Sequence, residues 1–284
     1  MKRFNILHET NYHFSGFVQL LPHTLRLRPR EGHELRIESS VLEINPTATL
    51  RWHRDVEGNS VAVASFSDAT QSLNIKSETT IQQYDQAPLD FLVEEYAVNY
   101  PFYYLAEDQV LLKPYMHLPD DFTNNLLKDW LIRLLSPNEK IQTVELLLRL
   151  NQYINQSLNY QMREEEGVQT VEQTLTSGMG SCRDYAWLFM AAARQLGLAA
   201  RFVSGYIHTT SPPVQPGSTH AWAEVFIPGA GWKGFDPTSG LIAGSEHIAV
   251  AVARLPGAIS PIEGSFLGPL GANMFVNVQV TALL

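Results

Sequence analysis

The single cysteine of the chain, Cys182, lies where a glycine-containing turn runs into a strongly helical stretch. At a helix N-terminus, free backbone N–H groups and the positive end of the helix dipole stabilise a thiolate relative to a thiol. Cys182 is therefore a candidate nucleophile, and Asp184 is an acid that favours the same helix end. A lone cysteine can equally be a small buried hydrophobic residue, but the flexible, polar residues 178–181 are not typical of a core.

Two later segments carry the side chains that a thiolate nucleophile needs. His220 begins the segment His-Ala-Trp-Ala-Glu and offers a base, and Asp236 lies in Gly-Phe-Asp-Pro-Thr and offers a carboxylate to orient the imidazole. Along the chain the order is cysteine, histidine, aspartate. An α/β-hydrolase places its acid before its histidine, so this order disfavours that fold.

A β-hairpin would bring the histidine and the aspartate together. A Pro-Gly-Ala-Gly turn separates the two alternating stretches that carry His220 and Asp236. Because side chains alternate between the faces of a strand, pairing Ile227 with Trp232 around a four-residue loop would put the imidazole and the carboxylate on opposite faces. The sequence therefore predicts an odd-length loop or a β-bulge in this hairpin.

The surrounding pattern predicts an α+β protein in three parts. From residue 1 to 85, apolar and polar residues alternate between turn signals, which predicts an antiparallel, sandwich-like β domain. Residues 86–120 contain many aromatic residues and prolines without clear periodicity and are interpreted as a connector. Residues 121–284 are predicted to form the catalytic domain, in which helices precede an antiparallel sheet.

Helical spacing predicts four helices ahead of the sheet. The first begins near Asp121, and the second opens with a capping box at residues 136–139. A short helix capped by Thr170 comes next, followed by the helix of Cys182, which Gly197 closes. The predicted strands after it are residues 200–207, 220–227 and 232–236, with closing strands in the tail from residue 247.

Composition restricts the class of protein. The chain has 284 residues, of which 45% are hydrophobic and 17% are charged, as in a compact globular protein. Its formal net charge of −9 argues against nucleic acid as a partner, because phosphate binding needs clustered Lys and Arg. One cysteine can form neither an internal disulfide nor a thiolate zinc site. No nucleotide-binding, zinc or calcium motif is visible, so no cofactor or metal is expected.

The location of the protein is also an expectation from sequence. The first residues lack the apolar core of a signal peptide, and the longest apolar runs are far too short to span a bilayer. We therefore expect a cytoplasmic protein without a membrane partner. The oligomeric state stays open.

Taken together, the three segments resemble the transglutaminase-like superfamily. Its signature is a Gly-x-Cys-x-Asp-Tyr-Ala box, a His-Ala-Trp box and an Asp-Pro-Thr box, and the match covers about residues 139–240. The segments at 25–29 and 57–59 are similar to the N-terminal region of bacterial members that are classed as cysteine proteases. The resemblance implies a papain-like fold, in which a helical lobe presents the cysteine to an antiparallel sheet.

The resemblance also implies a role for each residue. Cys182 would be the nucleophile, His220 the base and later the acid, and Asp236 the residue that fixes the imidazole tautomer. The backbone N–H of Cys182 is the expected oxyanion donor. Tyr160 is a candidate substrate contact, and the second donor is either Tyr160 or a group in residues 161–181. Trp222 shares strand parity with His220 and is a candidate wall of the substrate cleft, although packing in the core is the favoured interpretation.

Four functions remain open. The leading one is cleavage of amide bonds in a peptide or protein substrate through a thioester, because water is abundant and no dedicated site for an acceptor amine is visible. A transglutaminase that joins a glutamine side chain to an amine is the second. An acyl-thioester N-acyltransferase, which uses the same residues in the same order, and an inactive scaffold are the others. A missing member of the triad would favour the scaffold, and none is missing.

Overall fold

The computed structural model describes residues 1–84, 88–119, 125–135, 139–163, 165–209 and 219–283. Within these ranges the chain forms five helices and mostly antiparallel sheets, so the predicted α+β class is confirmed. None of the helices in these ranges is long and apolar enough to cross a membrane.

The elements have the following bounds. The strands are β1 (Lys2–Leu20), β2 (His23–Leu25), β3 (Leu35–Asn45), β4 (Thr49–Arg54), β5 (Ser60–Ser65), β6 (Ala69–Gln83), β7 (Asn99–Tyr100), β8 (Ile141–Gln142), β9 (Asn159–Tyr160), β10 (Met179–Gly180), β11 (Ala200–Ile207), β12 (His220–Ile227), β13 (Gly231–Asp236), β14 (Leu241–Ile242), β15 (His247–Ala253), β16 (Ile262–Glu263), β17 (Phe266–Leu267) and β18 (Ala272–Leu283). The α-helices are α1 (Ala106–Met116), α2 (Asn125–Ile132), α3 (Thr143–Ser157), α4 (Val171–Ser177) and α5 (Cys182–Gln195).

Two antiparallel sheets form the predicted β-sandwich. The first has the order β17-β1-β6-β3, with β18 also paired to β1, and the second has the order β16-β2-β5-β4. Phe14 and Leu73 of the first sheet share one apolar core with Leu25 and Ala62 of the second. Side chains alternate along a strand, so Phe14 of β1 and Leu73 of β6 face this core, whereas Phe4 and Ile6 of β1 pack in a separate core with Tyr206.

The tail of the chain belongs to the sandwich. β18 pairs with β1 from Arg3 opposite Leu283 to Phe14 opposite Ala272, and β16 and β17 pair with β2 and β1. The assignment of all residues from 121 to 284 to one catalytic part is therefore corrected for the strands after residue 261. The alternation in the tail predicts strands, but it carries no information about their partner.

A second core lies between α5 and an antiparallel sheet of order β14-β13-β12-β11-β15. Every second residue of β12 from Ala221 to Ile227 packs into this core. α5 is buried along its length from Asp184 to Arg194, because its apolar residues surround it almost completely. A helical lobe against an antiparallel sheet is the arrangement predicted from the sequence.

Local signals predicted the helix ends next to the cysteine correctly. Thr170 and Gln173 form a capping box at the start of α4. Gly197 follows α5 with a φ of 81°, in the left-handed region that favours glycine. The strands 200–207 and 220–227 have the predicted bounds, and β13 begins one residue earlier than predicted.

Three features of the helical lobe differ from the sequence analysis or lie outside the described residues. The predicted helix start near Asp121 and residues 136–138 of the predicted capping box are not among the described residues. α3 begins at Thr143, after the short strand β8, and not in that box.

The connector contains α1, which the sequence analysis missed. α1 has only Leu112 buried and carries Pro114, so it has no apolar stripe of helical period.

Candidate active site

Capping by Ser181 and Asp184 starts α5 at the cysteine. The Asp184 carboxylate accepts hydrogen bonds from the Ser181 N–H and from its hydroxyl, both at 2.8 Å. Gly178 ends α4 with a φ of 67°, which turns the chain towards the next helix. Cys182 is the first helical residue, among N–H groups that have no partner inside the helix. This is the position that the sequence predicted for the nucleophile.

The same Asp184 carboxylate fixes the loop that precedes α4. Arg163 Nη1 donates to its two oxygens at 3.1 and 3.2 Å, and the Gln169 N–H donates at 2.7 Å. Asp184 is 1% exposed, so these donors meet a buried charge. The sequence predicted only a favourable helix-dipole contact for this acid. Its long-range partners follow from the path of the loop, which short-range patterns do not reveal.

Replacing Asp184 by alanine should lower the free energy of unfolding by about 3–5 kcal/mol, because it removes one partner of a buried ion pair. The side chain of Arg163 is 14% exposed and would lose its main acceptor. Urea unfolding measures the change. The matched control is Glu172→Ala, which removes an exposed acid from the first turn of α4 and should cost less than about 1 kcal/mol. Equal losses in the two variants would contradict the prediction.

The hairpin of β12 and β13 has the odd-length loop that the sequence predicted. Ile227 pairs with Gly231, so residues 228–230 form a three-residue loop. This register turns His220 and Asp236 to the same face. His220 Nε2 lies 3.0 Å from Asp236 Oδ2, so the predicted contact is confirmed.

Cys182 lies close enough to the His220 ring to raise the pKa of that ring. Because Nε2 faces Asp236, Nδ1 is the ring nitrogen that remains for the sulfur. Burial alone lowers the pKa of His220, but hydrogen bonds and charges of Asp236 and Cys182 outweigh it and raise the pKa to about 10. An imidazolium is therefore the stable form of His220 at neutral pH.

Asp236 is 0% exposed and is held by four donors. Its Oδ2 accepts from the rings of His220 and His247, at 3.0 and 3.2 Å, and from the Ser239 hydroxyl at 2.9 Å. Its Oδ1 accepts from the Thr238 N–H at 2.9 Å. Burial alone would raise the pKa of Asp236, but the hydrogen bonds and charges of the two histidines hold that pKa well below its usual range. The carboxylate is therefore ionised and oriented.

Helix α3 holds the turn that follows Asp236. Asn155 Nδ2 donates to the Thr238 carbonyl at 2.6 Å, and Asn151 Nδ2 donates to the Leu241 carbonyl at 2.9 Å. Gly240 in this turn has a φ of 73°, and a Cβ there would lie 3.2 Å from Asn155 Cγ. The helical lobe thus positions the carboxylate from a distance. Neither asparagine stands out in the sequence, because polar residues are common on a helix.

Tyr160, a predicted substrate contact, lies beside the thiol. Its side chain is 51% exposed, and its ring packs edge-on against Tyr185 at a centroid distance of 6.2 Å. Burial, and then the charge of Cys182, raise the pKa of Tyr160 to about 12. At neutral pH its hydroxyl therefore keeps its proton and can donate a hydrogen bond into the cleft.

Trp222, the other predicted substrate contact, is buried. It is 2% exposed, and it packs against the rings of His220 and His247 at centroid distances of 6.2 and 5.2 Å. Neighbouring strands carry Gly205 and Gly234, where a Cβ would approach the indole to 2.7 and 3.2 Å. The cleft-wall interpretation is therefore corrected in favour of packing. Trp222 does lie on the same face of the sheet as His220, as predicted, but other residues cover this face.

His247 also contacts Asp236, although the sequence analysis did not single it out. One ligand atom from each of His220, Asp236 and His247 lies within 4.8 Å of the others, close enough for a metal ion. However, both ring Nε2 atoms point at the same carboxylate oxygen over hydrogen-bond distances. A cation would have to displace both protons, so we interpret the group as a hydrogen-bond network.

Two family models match the chain. Residues 134–237 match the transglutaminase-like superfamily, and residues 4–82 match the bacterial transglutaminase-like N-terminal region. The first range contains the cysteine, the histidine and the aspartate that the structure brings together.

Relatives cover the chain to different extents. An uncharacterized protein from Mycobacterium tuberculosis is 26% identical over 287 residues, which cover 92% of this chain and 87% of that protein. An uncharacterized protein from Mycobacterium leprae is 32% identical over 108 residues, which span 37% of this chain and 38% of the relative. A solved structure named "a Putative Cysteine Protease from Cytophaga hutchinsonii" has a TM-score of 0.76 at 18% identity, over 99% of this chain and 91% of that one. This likeness shows that the two chains share a fold.

Proposed function

Since the chain belongs to the transglutaminase-like superfamily, with a bacterial transglutaminase-like N-terminal region ahead of the core, we propose that it is a cysteine-dependent hydrolase of amide bonds. Cys182 attacks the carbonyl carbon of a peptide or isopeptide bond, and His220 gives its proton to the departing amine. Water then attacks the thioester, His220 takes a proton from that water, and the acid leaves as the thiol is restored. The observation that carries the proposal is the His220–Asp236 contact of 3.0 Å beside a thiol at a helix N-terminus.

Two donors support the negative charge that develops on the carbonyl oxygen. The backbone N–H of Cys182 lies in the first turn of α5, where helical N–H groups have no partner inside the helix. The Tyr160 hydroxyl is protonated at neutral pH and stands beside the sulfur. In this proposal, both donate to the tetrahedral intermediate.

Exposed apolar side chains near the thiol favour a peptide or protein substrate. Tyr160, Met162 and Met179 are 51%, 47% and 42% exposed. They lie on or next to the strand pair β9–β10, which leads directly to Cys182. Apolar surface beside a reactive group is typical of a substrate groove, and an extended peptide can cover such a surface better than a small acyl donor.

The family favours one alternative, transfer of the acyl group to a primary amine. A thioester accepts either water or an amine, so the two reactions share every step up to this intermediate. Hydrolysis and acyl transfer differ only in the nucleophile that attacks the thioester, which is water or an amine. The product therefore separates them.

A screen of peptides and isopeptides tests the proposal, with Cys182→Ala as the control. We expect ammonia or peptide release by the wild type and none by the variant. A labelled amine that becomes incorporated into casein would favour the transglutaminase alternative. An inert scaffold would give no product, and iodoacetamide would label Cys182 slowly at pH 6, at the same rate in the wild type and in His220→Ala.

A further inference from the structure

Strand β15 has a bulge next to the active site. Gly205 of β11 pairs with Ala249, where unbroken pairing would give Val250, so Val250 is an extra residue. A one-residue bulge reverses which side chains face each side of the sheet beyond it. The bulge therefore turns His247 to the face that carries His220, whose own partner on β11 is Gly205.

Contacts at both nitrogens fix the His247 ring. Nδ1 accepts a hydrogen bond from the Gly244 N–H at 3.3 Å, and Nε2 lies 3.2 Å from Asp236 Oδ2. A nitrogen that accepts carries no proton, so in the neutral ring the proton is on Nε2 and is donated to the carboxylate. The side chain is 10% exposed and packs edge-on against Trp222.

The remaining donors to Asp236 come from its own turn. Thr238 and Ser239 follow it by two and three residues, so their contacts move with the aspartate. Within the part of the chain that the structure describes, His247 is the side chain besides His220 that ties this carboxylate to another strand. The bulge in β15 and the fixed tautomer of His247 allow this histidine to donate its hydrogen bond to Asp236.

We propose that His247 is a positioning residue, which holds Asp236 Oδ2 in line with His220 Nε2. Its importance for catalysis rests on the proposed function, but its effect on the His220 ring does not. Without this donor the carboxylate can turn away, which weakens the hydrogen bond that keeps a proton on His220. Besides Asp236, the titratable groups near the His220 ring are Cys182 and Tyr160, and the charge of Cys182 acts on both His220 and Tyr160.

The rate at which iodoacetamide alkylates Cys182, followed against pH, tests the proposal without a substrate. In the wild type the alkaline transition reports loss of the His220 proton. His247→Leu removes the donor at similar volume, and we expect this transition to move to lower pH by about one unit. His247→Gln places an amide N–H near the same point and should restore the wild-type transition. The matched control is His208→Leu, because His208 contacts Glu246 and not Asp236; it should shift nothing.

Three other results for His247 would overturn the proposal. An unchanged transition in His247→Leu would mean that His247 only fills space, and a move to higher pH would mean that it only competes for Oδ2. If His247→Leu does not fold, the ¹⁵N spectrum of wild-type His247 decides: a proton on Nε2 is expected, and a proton on Nδ1 would exclude the donation. A wild type that alkylates as expected but turns over no substrate would contradict the proposed function and leave this inference intact.

Discussion

We expect turnover to fall by at least about 10⁴-fold when either Cys182 or His220 is replaced by alanine, and the double variant to be no slower than either single variant. Cys182 and the His220 ring are electrostatically coupled, since the cysteine raises the pKa of the ring. Removing either group therefore removes the same step, the attack of an activated thiolate. The measurement is kcat on the best peptide or isopeptide from the screen.

His208→Ala is the control for these variants. It removes another partly buried histidine, one that contacts Glu246 instead of the active site, and its kcat should stay near the wild-type value. Circular dichroism and thermal unfolding show whether each variant keeps the fold. If the losses of turnover in the two single variants added up in the double variant, a shared step would be contradicted. The effects of replacing residues that act as a unit are strongly non-additive.

Replacing Asp236 should have the next largest effect. Asp236→Ala should lower kcat/KM by about 10²–10⁴-fold, because His220 loses the partner that orients its ring and stabilises its charge. Asp236→Asn removes the charge and replaces one of two accepting oxygens by an amide N–H, which can hold the imidazole in the wrong tautomer, so its loss should be of similar size. The carboxylate helps to raise the pKa of His220 to about 10. Without that charge the imidazolium releases its proton at lower pH, and the alkaline limb of the pH–rate profile moves toward neutrality.

Ser239→Ala gives a graded comparison for the aspartate variants. It removes one donor to Oδ2 but leaves the carboxylate and both histidine contacts. We expect a smaller loss of kcat/KM than in Asp236→Ala and an alkaline limb close to that of the wild type. An alkaline limb in Asp236→Asn at the wild-type position would show that the charge of Asp236 does not control His220.

The amino-acid sequence alone was enough to identify the hairpin that joins His220 to Asp236, because the relevant distances along the chain are short. Alternation placed both strands, and the parity of their side chains required either an odd-length loop or a β-bulge. The pairing of Ile227 with Gly231 confirms it. The start of α5 at Cys182 followed from equally local signals, a glycine turn and an acid in the first turn.

Local sequence patterns did not predict two of the contacts in the candidate active site. Trp222 was assigned to the correct face, but its burial depends on the strands on either side of it. His247 reaches Asp236 only because Val250 is an extra residue on β15. The alternation of apolar residues around His247 predicts a strand, but the position of a bulge is decided by how that strand packs on its neighbour.

The largest error concerned the tail, which pairs with a strand at the opposite end of the chain. Arg3 lies opposite Leu283 in the first sheet. Periodicity reports which face of a segment is buried, and it does so within a few residues. It does not report which distant segment covers that face, since many strands of similar pattern would fit. Local patterns therefore predicted most of the secondary structure and the candidate triad, whereas the partner of β18 and the second histidine on Asp236 arise only when the sheets assemble.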